Sequence, residues 1–291
     1  MEEQLTQEAL NVMLADGTTK DKLKEVLGGV LENVYSKAVS EQIKAKNGSG
    51  DPAGGVIEYK RFANAELKDK GTARAAGKGD SLENKPVKVL IDTDKEIIEE
   101  LQGKDVKLYG IAGMAERRKA NHQAAIIRYL DTEFFKEVKK GTKVDAKDNV
   151  QDTINDLLLR ARKLKNKYID GIDNDLLVIV VDSDYRQAMK KILDDLPNGT
   201  SPDKSAIGMY DSVRVYESTR LPDDVKAVVM MDGAIAQPFY VTDYQAEKVP
   251  FDDAASLEDF LYKGTKALMP DTIFYTDGTK ASAAKPNNAA K

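Results

Sequence analysis

The chain has 291 residues, of which 41% are hydrophobic and 32% charged, so one or two globular domains with a substantial core are expected. A net charge of −5 argues against a dedicated nucleic-acid binder, and the lack of cysteine excludes disulfides, thiolate metal sites and cysteine nucleophiles, as in proteins made in a reducing cytosol. No apolar run approaches the roughly 18 residues that span a bilayer, and the acidic start MEEQLTQEAL lacks a signal-peptide pattern, so no membrane partner is expected.

The first 50 residues are expected to form an amphipathic arm. Apolar residues at helical spacing run to about Lys46, in two pieces separated by a turn at Ala15-Asp16-Gly17, and Gly28-Gly29 weakens the second piece. The flexible stretch Asn47–Pro52 then separates the arm from the rest of the chain. The apolar face of the arm therefore needs a covering surface, either in its own domain or on a neighbouring chain.

Two alternating segments on either side of a polar loop predict a β-ribbon. Apolar and polar side chains alternate in Val56–Phe62 and again in 87–91, and residues 63–85 between them are rich in Gly, Ala, Lys and Asp. A two-stranded ribbon is marginally stable in water, and no third strand is adjacent in sequence. We therefore expect the ribbon to project and to be stabilised by lying on another molecule.

The longest helical pattern covers residues 111–140, with apolar side chains along one face and cations opposite. Further helices are predicted at 93–103, 150–168, 185–193 and 257–262. Apolar runs at 176–181 and 225–231 predict buried strands, and other strands are predicted at 213–215, 235–241 and 267–275. The tail 280–291 has nothing to bury and is expected to be disordered.

Few residues are candidates for catalysis. Asp182-Ser183-Asp184 follows a buried strand, and its carboxylates could bind magnesium or manganese, as in nucleotide-sugar transferases, or could simply cap the next helix. The cap is the preferred interpretation. The single histidine, His122, is expected to make one hydrogen bond on a helix flank. The stretch Gly71–Gly79 departs from a phosphate loop in glycine spacing and lacks the Ser or Thr that holds magnesium.

Three segments between 87 and 275 carry a family resemblance: the charged helix RRKANHQAAIIRYLDTEFF, the strand and helix LLVIVVDSDYRQAMKK, and VRVYESTRLPDD followed by VKAVVMMDGAIAQPF. Together with the detached arm and the ribbon, they resemble the major capsid proteins of tailed bacteriophages. The resemblance implies an α+β chain with the Hong Kong 97-like phage capsid fold. It implies an N-terminal arm at 1–50, an extended loop at 51–90, a peripheral domain at 91–145 built on a spine helix and closed by a strand at 265–279, and an axial domain at 146–264.

The same resemblance implies a structural protein that is not an enzyme and needs no cofactor. Such a chain would assemble with itself through pentamers and hexamers into an icosahedral shell around a double-stranded DNA genome. Its other partners would be a separate scaffolding protein, a portal, and packaged DNA bound without sequence specificity. Its location would be the virion, after assembly in the host cytoplasm.

Opposite charges predict contacts between copies of the chain. Cations of the ribbon are expected to meet acidic residues of a neighbouring copy; the residues concerned are Lys60, Arg61, Lys68, Lys70, Arg74 and Lys78 on one side, and Asp252, Asp253, Glu258 and Asp259 on the other. Two other functions remain open: a metal-dependent transferase that uses Asp182 and Asp184, and a shell protein of a cellular nanocompartment.

Overall fold

The computed structural model describes residues 12–62, 84–193, 206–249 and 254–279. Within these residues, helices alternate with short strands, and the strands form one six-stranded sheet, one four-stranded sheet and three two-stranded pairs. The helices are α1 (Gly17–Lys37), α2 (Val39–Ile43), α3 (Gly103–Lys136), α4 (Val150–Arg162) and α5 (Ser183–Met189). The predicted tail 280–291 lies outside the described residues.

The long helix α3 confirms the predicted helix and extends it toward the N-terminus. Gly110 interrupts it with a φ of 69°, a backbone conformation that glycine adopts without steric cost. The uninterrupted part therefore begins at Ile111, as predicted, and residues Glu137–Lys140 continue it as a 3-10 turn. Its buried side chains include Ile126, Leu130 and Phe134, which face the rest of the chain.

The arm helix α1 finds its covering surface on its own chain. The Asp16 side chain caps α1 by accepting hydrogen bonds from the backbone of Thr18 and Thr19, so the predicted turn is confirmed. Its apolar face packs along α3 and is buried there; the residues are Leu23, Val26, Leu27, Val30 and Val34. The intramolecular alternative left open by the sequence is therefore the one observed in the described residues.

The four-stranded sheet corrects two helix predictions. Its strands are β3 (Thr93–Gln102), β12 (Phe239–Val241), β13 (Gln245–Lys248) and β14 (Ala254–Lys263). The segments 93–103 and 257–262, predicted as helices, lie in β3 and β14, which pair antiparallel over ten residues. Ile97 and Leu101, like Leu257 and Leu261, are four apart, and this spacing fits one face of a helix and one face of a strand equally well. Pairing across the sheet decides in favour of the strand.

The six-stranded sheet forms the second half of the core. Its order is β4 (Thr142–Lys143), β16 (Ile273–Thr276), β10 (Ala227–Met231), β7 (Leu177–Val181), β9 (Val213–Glu217) and β8 (Ala206–Tyr210). All five residues of β7 are buried, as the continuous apolar run predicts, because both faces of the strand are covered. Helix α4 packs on one face through Ile154, Leu157 and Leu158.

Several element boundaries differ from the predictions. Helix α4 stops at Arg162, and residues up to 170 form the small pair β5 (Lys165–Asn166) and β6 (Ile169–Asp170), where the Asn166 side chain accepts the backbone N–H groups of Tyr168 and Ile169. Helix α5 lies at 183–189 and not at 185–193. The predicted strand at 235–241 is divided at Pro238 into β11 (Ile235–Ala236) and β12, and the predicted strand at 267–275 into β15 (Lys266–Ala267) and β16.

The two sheets cross the predicted boundary between residues 91–145 and 146–264. Strands β12 and β13, from the predicted axial range, pair with β14 of the same range, and β14 pairs with β3 from the predicted peripheral range. Strand β16, from the segment predicted to close the peripheral domain, pairs with β10 in the other sheet. The domain bounds remain predictions, whereas the sheets themselves unite residues far apart in sequence.

The base of the β-ribbon packs on its own chain. Strands β1 (Val56–Phe62) and β2 (Asn84–Leu90) pair antiparallel as predicted. Buried Ile57, Tyr59 and Val89 contact Ala236, with Leu268 at the edge of the same cluster. The expectation that another molecule alone stabilises the ribbon therefore needs correction for its base, while residues 63–83 lie outside the described residues.

A substitution in α1 tests the packing of the arm. A Cβ placed on Gly28 meets no atom within 4 Å, so Gly28→Ala is expected to raise the unfolding free energy by about 0.5–1 kcal/mol, because alanine loses less backbone entropy in a helix. A Cβ on Gly29 would lie 2.5 Å from Nζ of Lys119, so Gly29→Ala should stabilise the chain less. Urea unfolding of the unassembled chain measures both changes. A destabilised Gly28→Ala variant would contradict this packing.

Candidate assembly surfaces

Asp182 caps helix α5 and binds a lysine. Its carboxylate accepts the backbone N–H of Tyr185 at 2.9 Å and the ammonium group of Lys226 at 2.7 Å. Asp184 lies 3.3 Å from the same ammonium group, and the hydrogen bonds that Lys226 donates, first of all the one to Asp182, raise its pKa. The preferred capping interpretation is confirmed. Within the described ranges, no cluster of acidic or histidine side chains is arranged to hold a metal ion.

His122 is buried between α3 and the four-stranded sheet, where it takes part in a series of contacts between polar side chains. Its Nδ1 lies 2.6 Å from the Tyr244 hydroxyl, and its Nε2 lies 3.1 Å from Oε2 of Glu99. Arg118 also binds this carboxylate, through Nε at 2.8 and 3.0 Å, and its hydrogen bonds hold the pKa of Glu99 below its usual value. The expected hydrogen bond of His122 is therefore found, to Tyr244, but the ring is buried and its second nitrogen faces Glu99, so that the histidine links α3, β3 and the segment before β13.

Of the predicted acidic contact residues, Glu258 and Asp259 point to opposite faces of β14. Asp259 is 2% exposed and lies on the inner face toward α3, so it does not present a surface for another copy. This corrects the prediction that Asp259 contacts another copy of the chain, since the segment 257–262 is a strand that buries Asp259 and not the predicted helix. Glu258 lies on the outer face of the strand. Asp252 and Asp253 lie outside the described residues.

The outer face of the four-stranded sheet is acidic, and the pairing register defines its members. Glu258 lies opposite Ile98 and Gln245, with Glu96 and Glu100 on the diagonals. The carboxylates on this face are Asp94, Glu96, Glu100, Glu247 and Glu258. Among the described side chains of this face there is no lysine or arginine, and none of the five carboxylates forms an ion pair with another described residue. We call this surface the acidic face.

An apolar stripe crosses the acidic face. Tyr240 and Tyr262, opposite each other on β12 and β14, stack with ring centroids 4.8 Å apart. Phe260 is partly exposed beside them, and Ile98 is 52% exposed. An apolar centre surrounded by charged side chains is typical of protein–protein interfaces.

The described part of the ribbon contains two of the predicted basic contact residues. Arg61 forms two hydrogen bonds of 2.8 Å with the Asp271 carboxylate, and its guanidinium lies over the Tyr168 ring at 4.6 Å. Burial raises the pKa of Asp271, but the hydrogen bonds and charge of Arg61, together with hydrogen bonds from the backbone of Asp271 and from Asn166, outweigh this effect, and the pKa lies below its usual value. Lys60 is half-exposed and 3.8 Å from Glu58. The remaining predicted cations, Lys68, Lys70, Arg74 and Lys78, lie outside the described residues.

Arg61 therefore has a partner within its own chain. Together with the apolar contacts of Ile57, Tyr59 and Val89, this ion pair attaches the ribbon to the segment before β16. The acidic face was not predicted from the sequence, because its five carboxylates share a face only when β3, β13 and β14 pair in the observed register.

Within the described residues, no helix has the length and apolar character needed to cross a membrane. No protein-family model and no curated protein matches the sequence. Solved structures, however, resemble the fold. The capsid of Ralstonia phage GP4 matches with a TM-score of 0.58 at 13% identity, over 87% of this chain and 93% of that chain. The head structure of Helicobacter pylori bacteriophage KHP40 matches with a TM-score of 0.55 at 12% identity, over 83% and 90% of the two chains.

The chain has a phage capsid fold. This confirms the predicted mixed fold class, and at these identities the likeness is one of fold. A virus-like particle from Pyrococcus furiosus also matches, with a TM-score of 0.53 at 9% identity, over 88% of this chain and 98% of that chain. The fold is therefore shared by phage heads and by this virus-like particle.

Replacing Asp182 separates a helix cap from a metal ligand. Asp182→Ala removes the cap of α5 and a hydrogen bond from Lys226, so it should lower the unfolding free energy by about 1–2 kcal/mol. Manganese at millimolar concentration should not change the melting temperature of the unmodified chain or of the variant. Stabilisation by manganese that disappears in Asp182→Ala would instead support a metal site.

Replacing Asp271 tests the attachment of the ribbon. Asp271→Asn leaves Arg61 without its charged partner and should cost about 1–3 kcal/mol, with faster hydrogen exchange in β1 and β2. Glu58→Gln is the matched control, because the 3.8 Å contact of Glu58 with half-exposed Lys60 should contribute less than about 1 kcal/mol. Equal effects of the two substitutions would show that the Arg61 ion pair does not hold the ribbon.

Proposed function

We propose that this chain is a major capsid protein, which assembles with itself through pentamers and hexamers into an icosahedral shell around the double-stranded DNA genome of a tailed phage. The observation that carries the proposal is the extent of the match with the Ralstonia phage GP4 capsid, which covers nearly the whole of both chains. A similarity confined to one subdomain would have left most of the chain unexplained.

The structure also has features that suit a structural role. Asp182 and Asp184 are engaged by a helix cap and a lysine, which removes the main support for a metal-dependent transferase. We accordingly propose that the chain is not an enzyme and needs no cofactor. In this proposal a separate scaffolding protein and a portal are its partners, DNA is enclosed without sequence-specific binding, and the chain is located in the virion after assembly in the host cytoplasm.

We assign the predicted parts to the elements of the fold. Helix α1 belongs to the arm at 1–50, the pair β1–β2 to the extended loop at 51–90, and α3 is the spine of the peripheral domain. The six-stranded sheet supplies most of the axial domain at 146–264. The base of the ribbon is held on its own chain by Asp271 and Leu268, and the basic residues predicted between β1 and β2 are proposed to contact a neighbouring copy.

The acidic face is the proposed receptor for the basic part of a neighbour's ribbon. Residues 68–78, KDKGTARAAGK, contain four cations and one acidic residue, and the acidic face contains five carboxylates and no described cation. Opposite charges on two surfaces guide association and disfavour wrong partners. In this proposal Lys68, Lys70, Arg74 and Lys78 contact Glu258 and its acidic neighbours, with Asp252 and Asp253 as further predicted contacts.

A simple experiment tests the shell proposal. Electron microscopy and sedimentation of the purified chain should show rings or closed particles of uniform size. A chain that remains a monomer over a wide range of concentration and salt, and also during expression in cells, would contradict the proposal.

Charge reversal tests the proposed contact. Arg74→Glu with Lys78→Glu should reduce assembly by about tenfold or more at low salt and should weaken its dependence on salt. Adding Glu96→Lys and Glu258→Lys should restore assembly, because the two surfaces are again of opposite charge. The matched control reverses exposed Lys190 and Lys191 at the end of α5 and should assemble normally. No rescue by the second pair of reversals would show that the ribbon binds elsewhere.

A shell protein of a cellular nanocompartment is the second candidate, and the match to the Pyrococcus furiosus virus-like particle is the observation that favours it. The two candidates differ in the contents of the particle. Particles isolated from the native source should contain double-stranded DNA if the first proposal is right, and protein cargo without genome-length DNA if the second is right.

A further inference from the structure

Asp259 is a buried carboxyl group between two apolar clusters. Its neighbours on the inner face of β14 are Leu257, which packs with α1 and the start of α3, and Leu261, which packs with Leu130 farther along α3. Ile97 lies directly opposite on β3. Oδ1 of Asp259 has no hydrogen-bond partner in the described part of the chain, although the side chain is only 2% exposed. The backbone N–H of Phe260 stabilises the charged form, but by less than burial destabilises it. Burying a carboxylate with one unpartnered oxygen and no counter-ion is costly, whereas burying the neutral acid costs much less.

The charged groups around Asp259 are engaged with one another, with the exception of Lys95, which lies diagonal to Asp259 on β3, is exposed, and forms no ion pair with it among the described residues. From β3 comes Glu99, which is bound by Arg118 and contacted by His122 of α3. From the segment before β13 comes Tyr244, whose hydroxyl lies 2.6 Å from His122. Farther along β14, Lys263 lies 3.4 Å from Glu133 of α3 and over the Tyr129 ring. Helix α1 contributes apolar side chains to both clusters. None of the described cations of this region therefore forms an ion pair with Asp259.

We propose that protonation of Asp259 controls the packing of β14 against α3, a contact that we call the joint. The joint is closed while the carboxyl group is protonated, and it opens and admits water when the carboxylate forms. The geometry provides the two conditions that such a device requires. The group is sealed from solvent between packed elements, and it has no counter-ion that would stabilise its charge in place.

The expected pH range follows from the pKa. Burial raises the pKa of Asp259 from 3.8 to about 7. A folded-state pKa above the unfolded value means that the closed state binds the proton more strongly than the open state does. Stability is therefore highest in acid, falls as the pH rises from about 4 through 7, and is constant above that range. Burial and then the charges of Asp259 and Glu99 raise the pKa of Tyr244, so the phenol remains protonated throughout.

Hydrogen exchange of the full chain under unassembled conditions measures the joint directly. After correction for the intrinsic exchange rate, the opening constant of the amides in β14 and in residues 118–130 should rise by about thirtyfold between pH 5.5 and pH 8.5. The inference does not require the proposed shell function, since the measurement needs only the folded chain. Failure of assembly and failure of the joint are therefore separate results.

Two variants and a control isolate Asp259. Asp259→Asn keeps the shape of the protonated acid and should abolish the pH dependence of the opening constant. Asp259→Leu removes the titratable group with an apolar side chain of similar size and should do the same, which provides a second test if the amide variant folds poorly. Glu258→Gln is the matched control on the outer face of the same strand and should keep the pH dependence of the original chain.

Three results would overturn the proposal. One is an opening constant for the amides of β14 and α3 that does not change with pH in the unmodified chain. Another is unchanged pH dependence in Asp259→Asn or Asp259→Leu, which would assign the proton to another group. The third is loss of the pH dependence in Glu258→Gln, which would place the titrating group on the acidic face.

Discussion

The pairing of β3 with β14 is the constraint on which the rest of this fold depends. Ten consecutive residue pairs join segments that are about 160 positions apart in sequence, and α3 begins at the residue directly after β3. The register of this pair therefore fixes where α3 starts and which side chains of β14 lie beneath it. Helix α1 can cover α3 only because that position is defined, and its own apolar face is buried in return. Such long-range pairing requires a large loop to close before any contact forms.

Local patterns were sufficient where burial is uniform along an element. The run LLVIVV predicts β7 because a strand covered on both faces needs apolar residues at every position. Asp182 could be predicted as a helix cap, and Asp16 as part of a turn, because a cap or a turn is a local interaction within three residues. Residues 93–103 and 257–262 could not be predicted in the same way. Their apolar residues are four apart, a spacing shared by helices and strands, and only the partner strand decides between the two.

The candidate surfaces were less predictable than the fold, for a related reason. A charged residue in a sequence has no known face until its element and register are known. Glu258 and Asp259 are neighbours in sequence and were predicted as equivalent contacts, yet the strand turns one outward and buries the other. Arg61 and Asp271 are 210 residues apart, and their ion pair depends on the ribbon folding back on its own chain. The predicted cations at 68–78 were recognisable as a cluster because they lie close together in the sequence.

The distribution of charge on the four-stranded sheet gives these observations a common physical meaning. Like charges that approach one another across a sheet repel, and Glu258 has Glu96 and Glu100 on its diagonals, within reach of their long side chains. Nothing in the described chain offsets this repulsion with a cation on the same face. A partner that supplies cations relieves the repulsion and also covers the apolar stripe of Tyr240, Tyr262 and Ile98. In the proposed shell, relief of this repulsion is a physical reason for copies of the chain to associate through the acidic face.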